Sequence, residues 1–258
     1  RKYSNPVVSM SKQITRFICS SSLLANNHLW YYNGMVNLML ENLNPEQRLA
    51  VETTQGPLLV LSGAGTGKTS VLIYRIAHIL NLGLCDKYQI LAMTFTNKAA
   101  NEIKSRLSVL SNGEWYPDGI QCGTFHSICL RILRANAARA GLANNFIIYD
   151  EDDQKSVIKS LNNDSDIKSS NYVEEFSRLK DKGLVAYQSK DKLFNAYNTE
   201  LTRLNAVDFG DIILRVLELF DKNPDILARY QNQFKYILVD EFQDTNNAQM
   251  EFLGLLTR

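Results

Sequence analysis

The chain has 258 residues, 45% hydrophobic and 21% charged, enough apolar material for one large or two modest domains. Twenty-eight Lys and Arg oppose 27 Asp and Glu for a formal charge of +1, so a nucleic-acid partner would need a local basic groove rather than bulk charge. No run of about 18 apolar residues is present, which removes a spanning helix. The cysteines Cys19, Cys85, Cys122 and Cys129 form no CxxC and no Cys/His zinc spacing, which points to reduced thiols in a cytosolic protein.

Residues 1–40 contain no Asp or Glu but include Arg1, Lys2, Lys12 and Arg16 among many Ser and Asn, a composition that ends near residue 41. Such a beginning resembles an organelle transit peptide, and FICSSSLLA is too short and weak for a secretory apolar core. The preferred account is upstream sequence before a natural start at Met35 or Met39, which predicts poor order from residue 1 to about 38. At the other end, NNAQMEFLGLLTR is expected to be a helix with apolar positions at Met250, Leu253 and Leu256 or Leu255, and to stop without a cap as if the chain were cut.

Between these ends lie four short apolar runs suited to buried parallel strands: PLLVLS (57–62), QILAMTF (89–95), IQCGTF (120–125) and KYILVDE (235–241). Each precedes polar or glycine-rich sequence and then helical periodicity. The expected fold is α/β, a mostly parallel sheet covered by helices, with ligands at the carboxyl ends of the strands.

The first strand–helix junction carries SGAGTGKT, Ser62 to Thr69. Gly63, Gly65 and Gly67, with Ala64 and Thr66 between them, let the backbone wrap a phosphate, and a helix from about Lys68 to Leu80 presents its positive end to the anion. In this pattern Lys68 reaches the β- and γ-phosphates of a nucleotide and the Thr69 hydroxyl ligates Mg²⁺. Ser62 stands where the general pattern has glycine. A second carboxylate comes from ILVDEFQDTN: Asp240, at a strand end, completes the Mg²⁺ shell, and Glu241 orients or deprotonates the attacking water.

These motifs resemble superfamily 1 helicases of the UvrD/PcrA/Rep group. LNPEQRLAV (43–51) is similar to their Q motif, SGAGTGKT to motif I, TFTNKAANEI (94–103) to motif Ia, and GTFHSICLRIL (123–133) to the next DNA-binding segment. VDFGDIIL (207–214) and VDEFQDTNNAQ (239–249) continue the series in the family's order. The resemblance implies a RecA-like P-loop NTPase sheet, ATP and Mg²⁺ as cofactors, and single-stranded DNA or a duplex/single-strand junction as partner, without a membrane. It implies that Gln47 reads adenine through its amide. It also places Thr94, Phe95, Asn97, Thr124 and His126 on one DNA-binding rim of the sheet, where Phe95 or His126 stacks on bases. Taken alone, Gln47 can also be read as an exposed first-turn helix residue, Phe95 as a core residue and His126 as a hydrogen-bonded interior histidine.

The resemblance further divides the chain into a non-family extension (1–40), domain 1A (41–110, about 120–135 and 206–258) and a mostly helical domain 1B filling the rest of 111–205. Ser70 stands where these helicases usually carry Arg, and Gly210 replaces an Asp of their DFDD run while Asp208 and Asp211 remain. The family's motif III and its second RecA-like lobe, with the arginine fingers, have no counterpart in the chain. Such a finger is worth ~10³–10⁵ in turnover, so this lobe is expected to hold nucleotide and barely hydrolyse it. The alternatives are a RecB/AddA-like helicase-nuclease subunit and a non-catalytic ATP- or DNA-binding module.

Overall fold

The computed structural model describes residues 40–63, 65–111, 119–161 and 169–257. The expectations for residue 1 to about 38 and for Ala64 fall outside them. Five short strands occur among the described residues: β1 (Ile90–Thr94), β2 (Gln121–Thr124), β3 (Ile147–Tyr149), β4 (Ala206–Asp208) and β5 (Tyr236–Val239). β2, β1 and β5 form a parallel sheet in that order, with Leu91 facing Gln121 on one side and Ile237 on the other. β1, the middle strand, is buried throughout, as a strand covered on both faces must be.

Side chains alternate across this sheet and feed two cores. Ile90, Ala92, Cys122 and Leu238 pack with α1 (Pro45–Glu52), α2 (Lys68–Asn81) and α3 (Asn97–Leu110). Leu91 and Met93 face the opposite way. They meet α4 (Phe125–Ala135), α8 (Phe209–Lys222), α9 (Pro224–Gln233) and α10 (Asn247–Leu256). A third core gathers α5 (Glu151–Leu161), α6 (Ser169–Lys180) and α7 (Lys192–Arg203) with Ala206 and with Leu214 of α8. β3 and β4 bracket these three helices and pair in parallel, with Tyr149 opposite Asp208.

Several helices start directly at strand ends because the last strand residue is itself a cap. The Thr124 side chain accepts from Ser127 N–H, and Asp208 forms a reciprocal box with Asp211. The acidic run at Asp150 begins α5, its carboxylate accepting from the N–H groups of Asp152 and Asp153. These are helix-dipole positions in which acids belong.

The structure differs from the sequence expectation in three places. Residues 57–62 join no ladder, and Leu61 is 84% exposed. Both edges of β1 are already filled by β2 and β5, and the segment pairs with neither outer edge. The β3–β4 pair arises within and just after the stretch expected to be helical. In α10, Phe252, Leu253 and Leu256 are buried, whereas Met250 is 43% exposed on the outer face.

One buried charge cluster had no counterpart in the sequence expectations. Lys180, at the end of α6 and 1% exposed, donates to Asp208 at 2.6 Å and lies 2.8 Å from Asp211. The Tyr197 hydroxyl donates to the same Asp208 carboxylate at 2.9 Å. Burial, and then the neighbouring Asp208 charge, raise the Asp211 carboxyl above its ordinary range. Removing the ammonium would leave two carboxylates without their cation, so Lys180→Met should cost about 3–5 kcal/mol. Urea unfolding checks this, and a change under about 1 kcal/mol, the usual worth of an exposed pair, would mean that the cluster is solvated.

Candidate nucleotide and DNA-binding site

The loop before α2 has the backbone freedom expected of a phosphate cradle. Gly65 and Gly67 lie at φ +76° and +85°, in left-handed conformations that side chains disfavour. Gly67 caps α2 without a side-chain acceptor, which leaves that role in the first turn open to an anion. Thr66 Oγ1 donates to the Gly63 carbonyl at 2.8 Å, and Lys68 Nζ to the Ser62 carbonyl at 3.4 Å. The loop is exposed at Ser62, Gly63, Gly65 and Thr66.

Gln47 is tied to this loop. Its Oε1 accepts from Asn44 N–H at 3.1 Å in the α1 capping box, and its Nε2 donates to the Thr66 carbonyl at 2.9 Å. An amide has a second lone pair and a second N–H, so one acceptor and one donor position remain for a base edge. Arg75 on α2 donates to the carbonyls of Ala50 and Thr53, fixing α1 against the loop helix. Ser70 accepts from Arg106 of α3 at 3.2 Å, so an arginine does reach the position after Thr69.

The two sequence motifs meet across the carboxyl end of the sheet. Thr69 Oγ1 lies 3.3 Å from Asp240 Oδ2, and Lys68 Nζ lies 3.6 Å from Glu241 Oε2. Asp240 is 6% exposed, and burial raises its carboxyl above the ordinary range against the opposing hydrogen bond from Thr69. Glu241 has φ +53°, unusual for a residue with a side chain. The Gln243 amide donates to its carboxylate and, with Lys68 beside it, holds its pKa below the usual value. No cluster of three or more His, Cys, Asp or Glu capable of holding a metal occurs among the described residues. The Thr69–Asp240 oxygen pair nevertheless fits Mg²⁺, which takes one or two protein oxygens and completes its shell with phosphates and water.

At the rim, Asn97 is exposed at the start of α3 and Phe95 is half-buried, its ring 5.4 Å from that of Phe125. His126 stacks on Phe209 with centroids 3.8 Å apart and planes 19° from parallel. The Thr94 and Thr124 side chains are buried just below. Phe209 lies within VDFGDIIL and was not among the residues expected at the rim. Its place directly after the Asp208 cap, where a helix leaves a strand end, was the available signal, and it is 59% exposed.

Burial lowers the His126 pKa from 6.5 to about 4, so the ring is neutral at physiological pH. The unfolded chain takes up this proton more readily than the folded one, so the group's stability contribution is lost as pH falls from 6.5 towards about 4. Urea midpoints measured across that window should decline, and His126→Gln should flatten the decline. An identical slope in both proteins would place the imidazole in solvent.

Residues 43–258 match the family described as UvrD/REP helicase N-terminal domain. The chain is similar to proteins named ATP-dependent DNA helicase PcrA from Staphylococcus aureus and Staphylococcus epidermidis, each 42% identical over 237 residues that cover 86% of this chain. It spans about a third of the length of these relatives, 32% in both cases. No helix among the described residues is long and apolar enough to cross a membrane. With a helix-covered parallel sheet, a glycine loop facing an Asp-Glu pair and a match along most of its length, the chain belongs to the UvrD/REP helicase N-terminal domain family.

Proposed function

We propose that this chain is the N-terminal, ATP-binding lobe of an ATP-dependent DNA helicase or single-stranded-DNA translocase. Domain 1A comprises 41–110, about 120–135 and 206–258, and the helices of the third core belong to domain 1B. The observation that carries the proposal is the 3.3 Å approach of Thr69 to Asp240, two residues 171 positions apart in sequence. A hydroxyl and a carboxylate converging beside an open glycine loop suit a magnesium-bound triphosphate.

The loop N–H groups from Ser62 to Gly67, Ala64 included, and the start of α2 cradle the phosphates, with Thr69 and Asp240 as the Mg²⁺ ligands. Bound Mg²⁺ neutralises phosphate charge that a single lysine could not. Lys68, paired with Glu241 without nucleotide, turns to the phosphates, and Glu241 is then free to orient or deprotonate the attacking water. Gln47 donates to one adenine nitrogen and accepts from the amino group while keeping its bonds to Thr66 and Asn44. Phe95, Asn97 and His126, together with Phe209, form the surface that holds single-stranded DNA by stacking and phosphate contact, while Thr94 and Thr124, both buried, end the strands beneath it. In the whole protein, a C-terminal helicase lobe supplies the arginines for fast turnover. The proposed substrate is single-stranded DNA or its junction with duplex, and the proposed location is the cytosol.

Calorimetry of the full 258-residue chain tests the nucleotide site. ATP with Mg²⁺ should bind, ATP should be preferred over GTP, and Lys68→Ala should abolish binding while leaving the fold intact. Asp240→Asn should retain the affinity seen in EDTA and lose the gain conferred by Mg²⁺. Absence of heat from a folded parent would sink the proposal. The ATPase rate with single-stranded DNA should lie ~10³-fold or more below that of an intact motor, the scale of a missing arginine finger. Brisk DNA-stimulated turnover would refute the half-motor.

A further inference from the structure

Thr94 ends β1 with its side chain 1% exposed and its hydroxyl without a hydrogen-bond partner among the described residues. A buried hydroxyl left unpaired costs stability, and valine would fill the same volume without that cost. The neighbouring Thr124 offers no relief: its hydroxyl caps α4 by accepting from Ser127 N–H at 3.2 Å and makes no bond to Thr94.

The sheet's alternation places Thr94. Ile90 and Ala92 lie in the core with α2 and α3, so the next residue on that side of β1 is Thr94. On β5, Tyr236 and Leu238 face the same core, which puts Asp240 on that side as well, where it meets Thr69. Met93 is the register partner of Val239, and Asp240 N–H donates to the Met93 carbonyl at 2.9 Å. Thr94 and Asp240 are therefore lateral neighbours at the strand ends, about one inter-strand spacing (~4.8 Å) apart in backbone. No direct bond joins the two side chains, and two facing polar groups at that separation suit a bridging water.

Resting on the nucleotide site proposed above, we infer that Thr94 is a positioning residue of that site, its hydroxyl holding a water shared with the Asp240 carboxylate. Mg²⁺ keeps several waters when it binds with phosphates, and a water held by Thr94 and Asp240 would be suited to serve as one of them. The assignment turns Thr94 away from the DNA rim, because a hydroxyl buried on the α2 side does not reach a strand lying on the outer surface. The nucleotide and DNA sites then meet in one dipeptide, Thr94 serving the first and Phe95 the second.

The experiment compares the 258-residue parent with Thr94→Val and Thr94→Ser, measuring ATP affinity in EDTA and in Mg²⁺, single-stranded-DNA affinity and the thermal midpoint without nucleotide. Thr94→Val should melt higher than the parent, bind ATP in EDTA within about twofold, and lose about two- to tenfold of the Mg²⁺-conferred gain, the scale of one hydrogen bond. Thr94→Ser should recover that gain, and both variants should hold DNA as the parent does. A folded Thr94→Val with the parent's full Mg²⁺ gain overturns the inference, as does a loss confined to DNA affinity. If valine is not accommodated, Thr94→Ala is judged by the same nucleotide comparison. A parent that fails to bind ATP with Mg²⁺ removes the proposed function and this inference together, whereas a binding parent with an indifferent Thr94→Val removes only the inference.

Discussion

The site depends on a hydroxyl and a carboxylate held 3.3 Å apart by strands and helices that share no local sequence. Thr69 occupies the first turn of a helix packed on one face of the sheet, and Asp240 follows the last residue of an edge strand of the same sheet. Parallel strands deliver all their carboxyl ends to one edge, so a helix that starts there comes opposite whatever the strands release. The cost is visible in Asp240, where burial penalises the charge more than the Thr69 hydroxyl, the Glu241 backbone and the nearby Lys68 relieve it.

The polar residues at strand ends divide between structure and chemistry. Thr124 and Asp208 each end a strand and cap the helix that follows, which commits their side chains locally. Thr94 and Asp240 occupy equivalent strand-end positions without capping anything. After Thr94 it is Thr96, two residues on, that caps α3. After Asp240 the chain turns through left-handed Glu241. Polar groups released from capping duty remain available for ligands, which distinguishes a structural threonine from a functional one in nearly identical settings.

Much of this was legible in the sequence because it is encoded locally. Glycine spacing announces left-handed backbone, and the apolar runs at β1, β2 and β5 announce burial on both faces. The segment 57–62 has the same composition as those strands and yet makes no ladder, since an apolar run does not specify a partner edge. Lys180 was illegible for a related reason. It sits in a polar helical stretch, NYVEEFSRLK, that reads as solvated, and its carboxylates lie 28 and 31 positions further on. Phe209 joined the rim only once α8 was seen to leave β4 beside His126. Long-range pairing escapes a pattern that is read along the chain.

Gly210 shows what such a pairing imposes on descent. A Cβ there would come within 3.0 Å of Lys180 Cδ and 3.2 Å of its Cβ, and the lysine is pinned by two carboxylates with no room to yield. An acid at this position would add bulk against that stem and a third negative charge to the cluster. Positions 180 and 210 are thus a matched pair, one long and cationic, the other bare. Any side chain at 210 therefore needs a shorter or displaced residue at 180, so tolerance at the glycine is set by a side chain thirty positions away.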